Sequence, residues 1–301
     1  MDRLKDLLTL IDKDRLLVNE LMKKHITFRV GGPADFYAVP ESIKEIASLV
    51  DYCKKTDFPY YIIGNGSNLI VGDKGFRGLI IQMGRNLGDV IVEGDVVTAY
   101  AGALLSRVAK VVLDEELEGF EFAAGIPGTV GGAVRMNAGA YGGEMKDIIV
   151  SADVLDNEGN VITLTNEELK LSYRSSIVSE KEYVVLKAVF KLKKGNKEEI
   201  KAIMDDLKDK RVTKQPLEFP SAGSTFKRPE GYFAGKLIED AGLRGFSVGG
   251  AQVSEKHCGF VVNKGDATAK DIIDLMDQVI GKVYDKFGVT LEPEVRRIGE
   301  F

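Results

Sequence analysis

The chain has 301 residues, 44% of them hydrophobic and 29% charged, which is the composition of a globular protein long enough for two domains. A net charge of −5 without a basic block argues against a nucleic-acid partner. No apolar run reaches the roughly 18 residues of a membrane span, and the N-terminus does not resemble a signal peptide, so we expect a cytoplasmic protein without a membrane partner.

Cysteine and histidine are scarce in this chain. Cys53 and Cys258 lie far apart and neither belongs to a CxxC motif, so we expect two buried thiols and neither a disulfide nor a metal site. The only histidines are His25 and His257, which argues against chemistry that depends on histidine ligands or a histidine base.

The N-terminal part is predicted to mix helices and strands. Residues 1–20 carry an apolar stripe and are predicted to form an exposed helical extension. Glycines and a proline at residues 31–33 separate two short predicted strands, at residues 25–30 and 35–39. Ser42 and Glu45 have the spacing of a capping box for the next helix, and residues 58–64 are predicted to form the strand after it.

That strand ends in the pentapeptide Gly64-Asn65-Gly66-Ser67-Asn68. This is not the dinucleotide-binding GxGxxG motif, because position 69 is leucine rather than glycine. A glycine-rich turn at the carboxyl end of a strand can instead point successive backbone N–H groups at an anion, with Ser67 and Asn68 adding side-chain donors. An ordinary β-turn is the alternative interpretation.

The middle of the chain is predicted to be one mixed α+β region. The pattern predicts a strand at residues 79–83, hairpins over residues 90–102 and 149–165, a helix at residues 103–117 and a strand at residues 183–192. Thr165 and Glu168 are predicted to cap a short helix over residues 166–171. A polar run around Gly195 indicates the end of this region.

The last third is predicted to be a compact α/β domain of roughly 90 residues. A helix at residues 196–211 leads into a loop rich in proline and glycine at residues 215–231. A helix at residues 233–243, strands at residues 246–254 and 258–263, a long helix around residues 272–283 and a closing strand at residues 289–299 follow.

Residues 119–143, here called the glycine segment, contain eight glycines among apolar residues such as Phe120 and Val134. Glycine lets the backbone form tight turns and approach a ligand closely. A flexible linker with this glycine content would be hydrophilic, which this segment is not. We therefore predict a buried turn system that holds a large cofactor.

Three polar residues stand out from the predicted scaffold. Arg174 follows a predicted helix, Ser224 lies in the loop rich in proline and glycine, and Glu294 lies in the closing strand. Simpler interpretations are a solvated arginine, a turn or helix cap, and a solvated sheet face, respectively. No GxSxG motif surrounds Ser224, so a serine–histidine–aspartate nucleophile is not indicated.

Five motifs in order resemble those of the UDP-N-acetylenolpyruvoylglucosamine reductase family, the FAD enzymes of bacterial peptidoglycan precursor synthesis. They are IGNGSN, AGIPGTVGGAVRMNAGAYGGE, SYRSS, PSAGSTFK and LEPEVRRIG, and the resemblance covers about residues 20–301. It implies a monomeric, cytoplasmic flavoprotein oxidoreductase with non-covalent FAD and with NADPH as co-substrate. It also implies a role in cell-wall biogenesis, cell shape and cell division.

The fold implied by the resemblance is α+β. A two-part FAD-binding region of the vanillyl-alcohol-oxidase (PCMH) type would occupy residues 21–195, with subdomains at about 21–75 and 76–195. Residues 1–20 would be an N-terminal helical extension. Residues 196–301 would form a C-terminal α/β substrate-binding domain whose last strand, residues 289–298, contributes to the active site.

The resemblance also places the family's functional residues on this chain. Arg174, Ser224 and Glu294 would be catalytic, and no metal would be bound. Substrate contacts would be Tyr173, Lys214, Arg228 and His257. Cofactor contacts would be Gly64, Asn65, Gly66, Ser67, Asn68, Gly125, Ile126, Pro127, Gly128, Thr129, Gly132, Asn137 and Gly139.

The chain departs from one branch of that family. The branch has a long tyrosine-bearing loop that folds over the substrate, whereas only a short segment separates Arg174 from the predicted strand at Tyr183. This chain therefore resembles the branch without the loop. Arg228 stands where the family often has asparagine, and His257 stands where the other branch has glutamine.

The implied chemistry suits the three catalytic candidates. Reduction of an enolpyruvyl ether needs a hydride at C3 and a proton at C2, through a carbanion conjugated with a carboxylate. Arg174 is suited to neutralise the developing charge, and Ser224 is suited to protonate C2. Glu294 is suited to donate to the same oxygens, either as a neutral glutamic acid or through a water that it holds. Reduced flavin would supply the hydride. A flavin oxidase of the same fold and a non-catalytic nucleotide-sugar-binding protein are the alternatives.

Overall fold

The computed structural model describes residues 3–301. Its helices are α1 Arg3–Leu7, α2 Ile43–Lys55, α3 Leu105–Asp114, α4 Val130–Arg135, α5 Ile177–Glu180, α6 Lys197–Lys214, α7 Ala234–Asp240 and α8 Ala269–Phe287. Its strands are β1 Leu16–Leu21, β2 Pro33–Ala38, β3 Tyr60–Ile63, β4 Leu69–Val71, β5 Phe76–Gln82, β6 Val90–Glu93, β7 Val96–Tyr100, β8 Leu117–Glu118, β9 Gly139–Ala140, β10 Gly143–Glu144, β11 Ile149–Leu155, β12 Val161–Thr165, β13 Val184–Lys191, β14 Lys193–Lys194, β15 Ser247–Val248, β16 Ala251–Val253, β17 Val261–Asn263 and β18 Arg296–Ile298.

The chain divides into two compact units, each of them discontinuous in sequence. Unit 1 comprises the chain up to Leu17 together with Phe36–Asn65 and Gly78–Lys210. Unit 2 comprises Val18–Asp35, Gly66–Arg77 and Arg211–Phe301. The boundaries predicted from the sequence at residues 20, 75 and 195 separate an N-terminal extension, two FAD-binding subdomains and a substrate-binding domain. These boundaries stay a prediction.

A five-stranded antiparallel sheet in the order β12-β11-β13-β7-β6 forms the centre of unit 1. Both predicted hairpins, β6–β7 and β11–β12, are confirmed. Helices α3 and α4 pack against this sheet. Beneath them, Phe120 meets Phe190 edge to face at a centroid distance of 5.6 Å, and both rings are buried. Burial of apolar surface of this kind is the main favourable contribution to the folding free energy.

The predicted helix after residue 40 is confirmed as α2, and Ser42 is its N-cap. The Ser42 Oγ accepts a hydrogen bond of 3.2 Å from the backbone N–H of Glu45. The Glu45 carboxylate does not complete the capping box, because it accepts from the backbone of Glu41 and from Arg15. The hydrogen bond from Arg15 lowers the pKa of Glu45. Strand β3, as predicted, follows and pairs in parallel with β5 in a sheet of order β1-β2-β5-β3.

Unit 2 contains a three-stranded antiparallel sheet, β15-β16-β17, with α8 packed against it and α7 packed against α8. Thr268 and Asp271 form a capping box at the start of α8, and Gly288 ends the helix in the left-handed conformation. Strand β18 pairs in parallel with β4, at Arg296↔Leu69 through Ile298↔Val71. The expected α+β fold is therefore confirmed. The single strand predicted at residues 246–254 is wrong, because a turn at Gly249, which has a φ of 52°, divides it into the antiparallel strands β15 and β16. Apart from the closing strand, the other elements predicted for the last third are present.

Four other predictions of local structure are wrong. Of the helix predicted over residues 1–20, the described residues form only α1, and residues 1 and 2 are not described. The predicted exposure is also wrong, because Leu7 and Ile11 belong to the core. Strand β1 follows. Residues 25–30 form a loop in which Arg29 has a φ of 56°. Residues 166–171 stay a turn in which Lys170 has a φ of 47°. The closing strand is limited to β18, because residues 289–295 follow an irregular path.

Two further observations bear on function. Both cysteines are buried and unpaired, as predicted, and burial raises the pKa of Cys53 to about 12. Among residues 3–301, no helix combines the length and the apolar character that crossing a membrane requires.

Candidate functional site

The glycine segment folds as a turn system, as predicted, but it is buried only in part, because Gly125, Pro127 and Gly132 are exposed. It contains a 3₁₀ turn at Glu121–Ala123, helix α4 and the hairpin β9–β10. A Cβ atom on Gly143 would lie 2.7 Å from the ring of Phe122, so internal packing requires glycine there. Some of the glycines therefore serve the turn system itself rather than a ligand.

The first part of the pentapeptide meets the glycine segment inside unit 1. The Asn65 Nδ2 donates a hydrogen bond of 2.7 Å to the backbone oxygen of Pro127. A Cβ atom on Gly64 would lie only 2.1 Å from the Thr129 Oγ1. The structure thus brings together two groups of predicted cofactor residues that are more than 60 positions apart in the sequence.

A cavity of about 180 Å³ opens beside this junction in unit 1. Its wall consists mainly of residues from β3, α4 and the start of β13. Gly64, Thr129 and Gly132 are among the lining residues. Arg135 and Glu182 contribute charged groups to an otherwise largely apolar lining. Its volume is below the range of about 300–1,000 Å³ that is usual for ligand pockets, so it suits one part of a large ligand.

The hydroxyl of Thr129 provides a test of whether this site fits a cofactor. Thr129 is 4% exposed and stands at the N-cap of α4, yet its Oγ1 makes neither a capping hydrogen bond nor any other bond within the described part of the chain. A buried hydroxyl without a partner costs about 1–3 kcal/mol. A polar ligand atom at the cavity would remove this cost, so the residues present fit the FAD site that the sequence predicts.

Asn137 has a different environment from the other predicted cofactor residues. Its side chain is fully buried, and its Nδ2 donates to Glu144 Oε2 at 2.7 Å and to the backbone oxygen of Ser172 at 3.2 Å. Its Oδ1 accepts from the backbone of Lys146 at 2.9 Å. Both amide hydrogens are therefore engaged within the protein.

Arg174 lies at the tip of a tight turn in unit 1. Ser172 and Ser175 close the turn through two backbone hydrogen bonds of 3.1 Å each. Arg174 has a φ of 55°, and its guanidinium carbon lies 5.2 Å from the centroid of the Tyr173 ring. Tyr173 is 52% exposed. The turn presents a cation and an aromatic ring together, the pair that the sequence predicts for catalysis and substrate contact.

Ser224 and Glu294 both lie in unit 2 and are connected through Thr225. Ser224 is exposed, while the next residue, Thr225, is buried and its Oγ1 accepts from the backbone of Val261 at 2.8 Å. The backbone N–H of Glu294 donates to the Thr225 oxygen at 2.9 Å. Thr225 thus anchors the loop that exposes Ser224 and ties it to the segment that carries Glu294.

The second part of the pentapeptide contacts the same segment. The Asn68 Nδ2 donates to the backbone oxygen of Glu294 at 3.2 Å, and the Asn68 oxygen accepts from Arg296 at 3.0 Å. Gly66 has a φ of 61°. Unit 2 therefore joins one predicted cofactor residue directly to one predicted catalytic residue.

The remaining substrate candidates also lie in unit 2. His257 is half-buried, its Nδ1 accepts from the backbone of Gly259 at 3.1 Å, and burial lowers its pKa. Arg228 donates to the Tyr232 oxygen at 3.3 Å, and its guanidinium carbon lies 4.0 Å from the centroid of the Phe233 ring. Lys214 is exposed at the end of α6.

The residues that hold the candidates in place were not predicted from the sequence. Ser176 is buried, and its Oγ donates to the Arg135 oxygen at 2.6 Å directly beside the Arg174 turn. Its role as N-cap of α5, with Ser179 three residues later, was visible in the sequence as a capping pattern. No comparable signal indicated Thr225, because its partner Val261 is remote in sequence.

Comparison with known proteins finds two matching domain families and curated relatives of similar length. Residues 34–165 match an FAD binding domain, and residues 215–298 match the C-terminal domain of UDP-N-acetylenolpyruvoylglucosamine reductase. The chain is 58% identical to the reductase of that name from Agathobacter rectalis, with 95% of each chain covered. It is 54% identical to the reductase from Clostridioides difficile, with 98% of this chain and 97% of the relative covered.

A solved structure supports the same relationship. The UDP-N-acetylenolpyruvylglucosamine reductase of Thermus caldophilus superposes with a TM-score of 0.81 at 35% identity. The match covers 94% of this chain and 99% of that one.

Proposed function

The chain belongs to the UDP-N-acetylenolpyruvoylglucosamine reductase family, and on this premise we propose that it reduces UDP-N-acetylglucosamine enolpyruvate to UDP-N-acetylmuramate. It is an FAD-dependent oxidoreductase, and each turnover consumes one NADPH and one proton. The observation that carries the proposal is the match of both an FAD binding domain and the reductase-specific domain within relatives of nearly equal length.

FAD supplies the redox chemistry when it is bound. We assign its binding to the pentapeptide Gly64-Asn65-Gly66-Ser67-Asn68 and to the part of the glycine segment between Gly125 and Gly139. The buried, unbonded hydroxyl of Thr129 beside Gly64 supports this assignment. Asn137 is the exception, because its amide hydrogens are engaged with Glu144 and Ser172.

The protein residues have three chemical tasks in the proposed reaction. Arg174 neutralises the charge that develops on the substrate carboxylate as the enolpyruvyl group is reduced. Ser224 donates the proton to C2, which is feasible for a weak acid because the acceptor is a carbanion. Glu294 donates to the carboxylate oxygens, either as a neutral glutamic acid or through a water that it holds. The exposure of Ser224 and the cation at the tip of the Arg174 turn support these roles.

Substrate binding is assigned to Tyr173, Lys214, Arg228 and His257, with residues 196–301 as the substrate domain and residues 21–195 as the FAD region. A monomer in the cytoplasm without nucleic-acid or membrane partners fits the proposed reaction, whose substrates are small molecules. The product is a peptidoglycan precursor, so the activity would support cell shape and division.

Anaerobic reduction and reoxidation test the proposal. Purified protein should be yellow and should release unmodified FAD on heat denaturation, and NADPH should bleach the bound flavin. Adding UDP-N-acetylglucosamine enolpyruvate without oxygen should restore the flavin absorbance and give a product heavier by two hydrogens. Rapid reoxidation by oxygen, with no response of the reduced flavin to UDP-N-acetylglucosamine enolpyruvate, would indicate an oxidase instead. Protein that cannot be reconstituted with FAD would refute both enzymes and leave a nucleotide-sugar-binding protein.

A further inference from the structure

The Arg174 turn, residues 172–175, holds its backbone in a conformation that the sequence alone does not favour. Arg174 has a φ of 55°, in the left-handed region that residues with a Cβ atom rarely occupy. Neither position at the tip is glycine, asparagine or aspartate, the residues that tolerate such turns best. A turn of this kind persists only where its surroundings fix it.

Asn137 fixes the N-terminal side of the turn. Its Nδ2 donates to the backbone oxygen of Ser172, the residue that starts the turn. The same amide is oriented by Glu144 Oε2 at 2.7 Å and by the backbone N–H of Lys146 at 2.9 Å. Three bonds from a fully buried side chain leave little freedom, so the Ser172 oxygen is held at a defined place.

Ser176 fixes the C-terminal side. It is also fully buried, and its Oγ donates to the backbone oxygen of Arg135, the last residue of α4. The same Oγ accepts from the backbone of Ser179 at 3.2 Å. Both ends of the turn are thus attached to residues 135–137 of the glycine segment.

We propose that Asn137 is a positioning residue for Arg174, acting through the Ser172 oxygen, rather than a direct ligand of the cofactor. The inference rests on the role proposed above for Arg174 in stabilising charge on the substrate. A guanidinium displaced by about 1 Å loses much of its effect on a developing charge. Loss of the Asn137 amide should therefore slow the step that uses Arg174 and leave the reduction of bound flavin by NADPH unaffected.

Asn166 provides a matched control. Its Nδ2 likewise donates two hydrogen bonds, here to the backbone oxygens of Lys146 and Ile149, each at 2.9 Å. It lies in the same unit and shares Lys146 with Asn137 as a bonding partner, but none of these bonds reaches the Arg174 turn. Replacing it should cost stability without changing catalysis.

The test is a double-mutant cycle measured by anaerobic stopped-flow absorbance, normalised to bound flavin. Asn137→Ala should slow reoxidation by UDP-N-acetylglucosamine enolpyruvate by about tenfold to a hundredfold. In an Arg174→Ala background the same change should alter reoxidation by no more than about twofold, because the two residues act through one group. NADPH reduction should stay within about twofold throughout the cycle, and Asn166→Ala should alter neither step by more than that.

Urea unfolding of the apo proteins separates positioning from stability. Asn137→Ala and Asn166→Ala should both lower the unfolding midpoint, so a catalytic defect confined to the first is not explained by stability. Equal slowing by Asn137→Ala in both backgrounds, or equal slowing of both half-reactions, would overturn the inference. Loss of flavin binding in a folded Asn137→Ala protein would also overturn it, because Asn137 would then act on the cofactor site. If Asn137→Ala does not fold, Ser176→Ala takes its place in the cycle with the same expectations.

The cycle also separates this inference from the proposed role of Arg174. A large defect in Arg174→Ala with none in Asn137→Ala would refute only the positioning role. Normal reoxidation in Arg174→Ala would refute the role of Arg174 and, with it, this inference.

Discussion

A side chain at Gly64 would collide with the hydroxyl of Thr129. An ideal Cβ atom on Gly64 lies 2.1 Å from the Thr129 Oγ1 and 3.1 Å from its Cγ2, which are far inside van der Waals contact. The conflict is purely steric, because the backbone of Gly64, unlike that of Gly66, lies outside the left-handed region. The close approach of β3's end to the start of α4 therefore depends on the absence of a side chain at Gly64.

We predict that Gly64→Ala destabilises the apo protein by about 1–3 kcal/mol through overpacking and weakens FAD binding at least about tenfold. Urea unfolding and fluorescence titration with FAD measure the two effects. Gly281→Ala is the control, since a Cβ there meets nothing within 4 Å and alanine favours the helix. Adding Thr129→Ala should recover the lost stability. Unchanged stability and affinity in Gly64→Ala would contradict the observed contact.

A second prediction concerns the unbonded hydroxyl of Thr129. Thr129→Val keeps the shape and removes a buried polar group without a partner, so the apo protein should become more stable by about 1 kcal/mol. FAD affinity should fall at the same time if the hydroxyl bonds the cofactor. Calorimetric unfolding with and without FAD measures both quantities.

Thr225→Val is the matched control for that prediction. Thr225 is equally buried, but its Oγ1 accepts a hydrogen bond from Val261, so the same change should destabilise the protein by about 1–2 kcal/mol. Opposite signs for the two threonines are expected. Destabilisation of the apo protein by both would mean that the Thr129 hydroxyl has a partner.

The sequence predicted the elements whose signals are local. The helix α8 and the hairpin β6–β7 follow from apolar periodicity and turn residues, and the structure contains both. The failures at residues 25–30 and 166–171 coincide with the left-handed backbones of Arg29 and Lys170, which no residue pattern announces. In these places tertiary contacts decide the local conformation.

The candidate site shows the same division. Gly64 and the glycine segment were recognisable because glycine-rich turns are a local signal. The bonds from Asn137 to Ser172 and from Ser176 to Arg135 join residues 35 and 41 positions apart, so no spacing rule could have revealed them. The motifs located the reactive groups, whereas only the structure identified what holds them.

A third prediction follows from the buried imidazole of His257. Burial lowers its pKa below the ordinary value of 6.5, so the unfolded chain binds the proton more tightly than the folded one. The contribution to stability is complete above about pH 6.5 and is lost as the pH falls below it through the folded-state pKa. Protonation would also remove the acceptor for the Gly259 N–H.

His257→Gln keeps an acceptor but does not titrate in this range, so its free energy of unfolding should fall less steeply than that of the wild type between about pH 6.5 and pH 5. Urea unfolding at several pH values measures the slopes. Parallel curves for the two proteins would mean that His257 has the same pKa in the folded and the unfolded chain.

The last prediction separates the two half-reactions at Ser224. This serine is exposed on the loop that Thr225 anchors, and its proposed task is to protonate C2 as the hydride reaches C3, so that the carbanion cannot return the hydride to the flavin. It then has no part in the reaction of NADPH with the flavin. Ser224→Ala should therefore bleach with NADPH at nearly the normal rate, and only reoxidation should fail. Loss of a general acid is worth about 10² to 10⁴ in rate, and reoxidation by UDP-N-acetylglucosamine enolpyruvate should slow by at least that factor.

Stopped-flow absorbance at the flavin band records both steps on one anaerobic sample of Ser224→Ala. Ser221→Ala is the control, because Ser221 lies in the same loop and its side chain has no proposed task. Equal slowing of both steps in Ser224→Ala would mean that the serine positions the flavin, and normal reoxidation would remove it from the mechanism. A solvent isotope effect on reoxidation in the wild type, absent from the NADPH step, would place proton donation in the half-reaction assigned to Ser224.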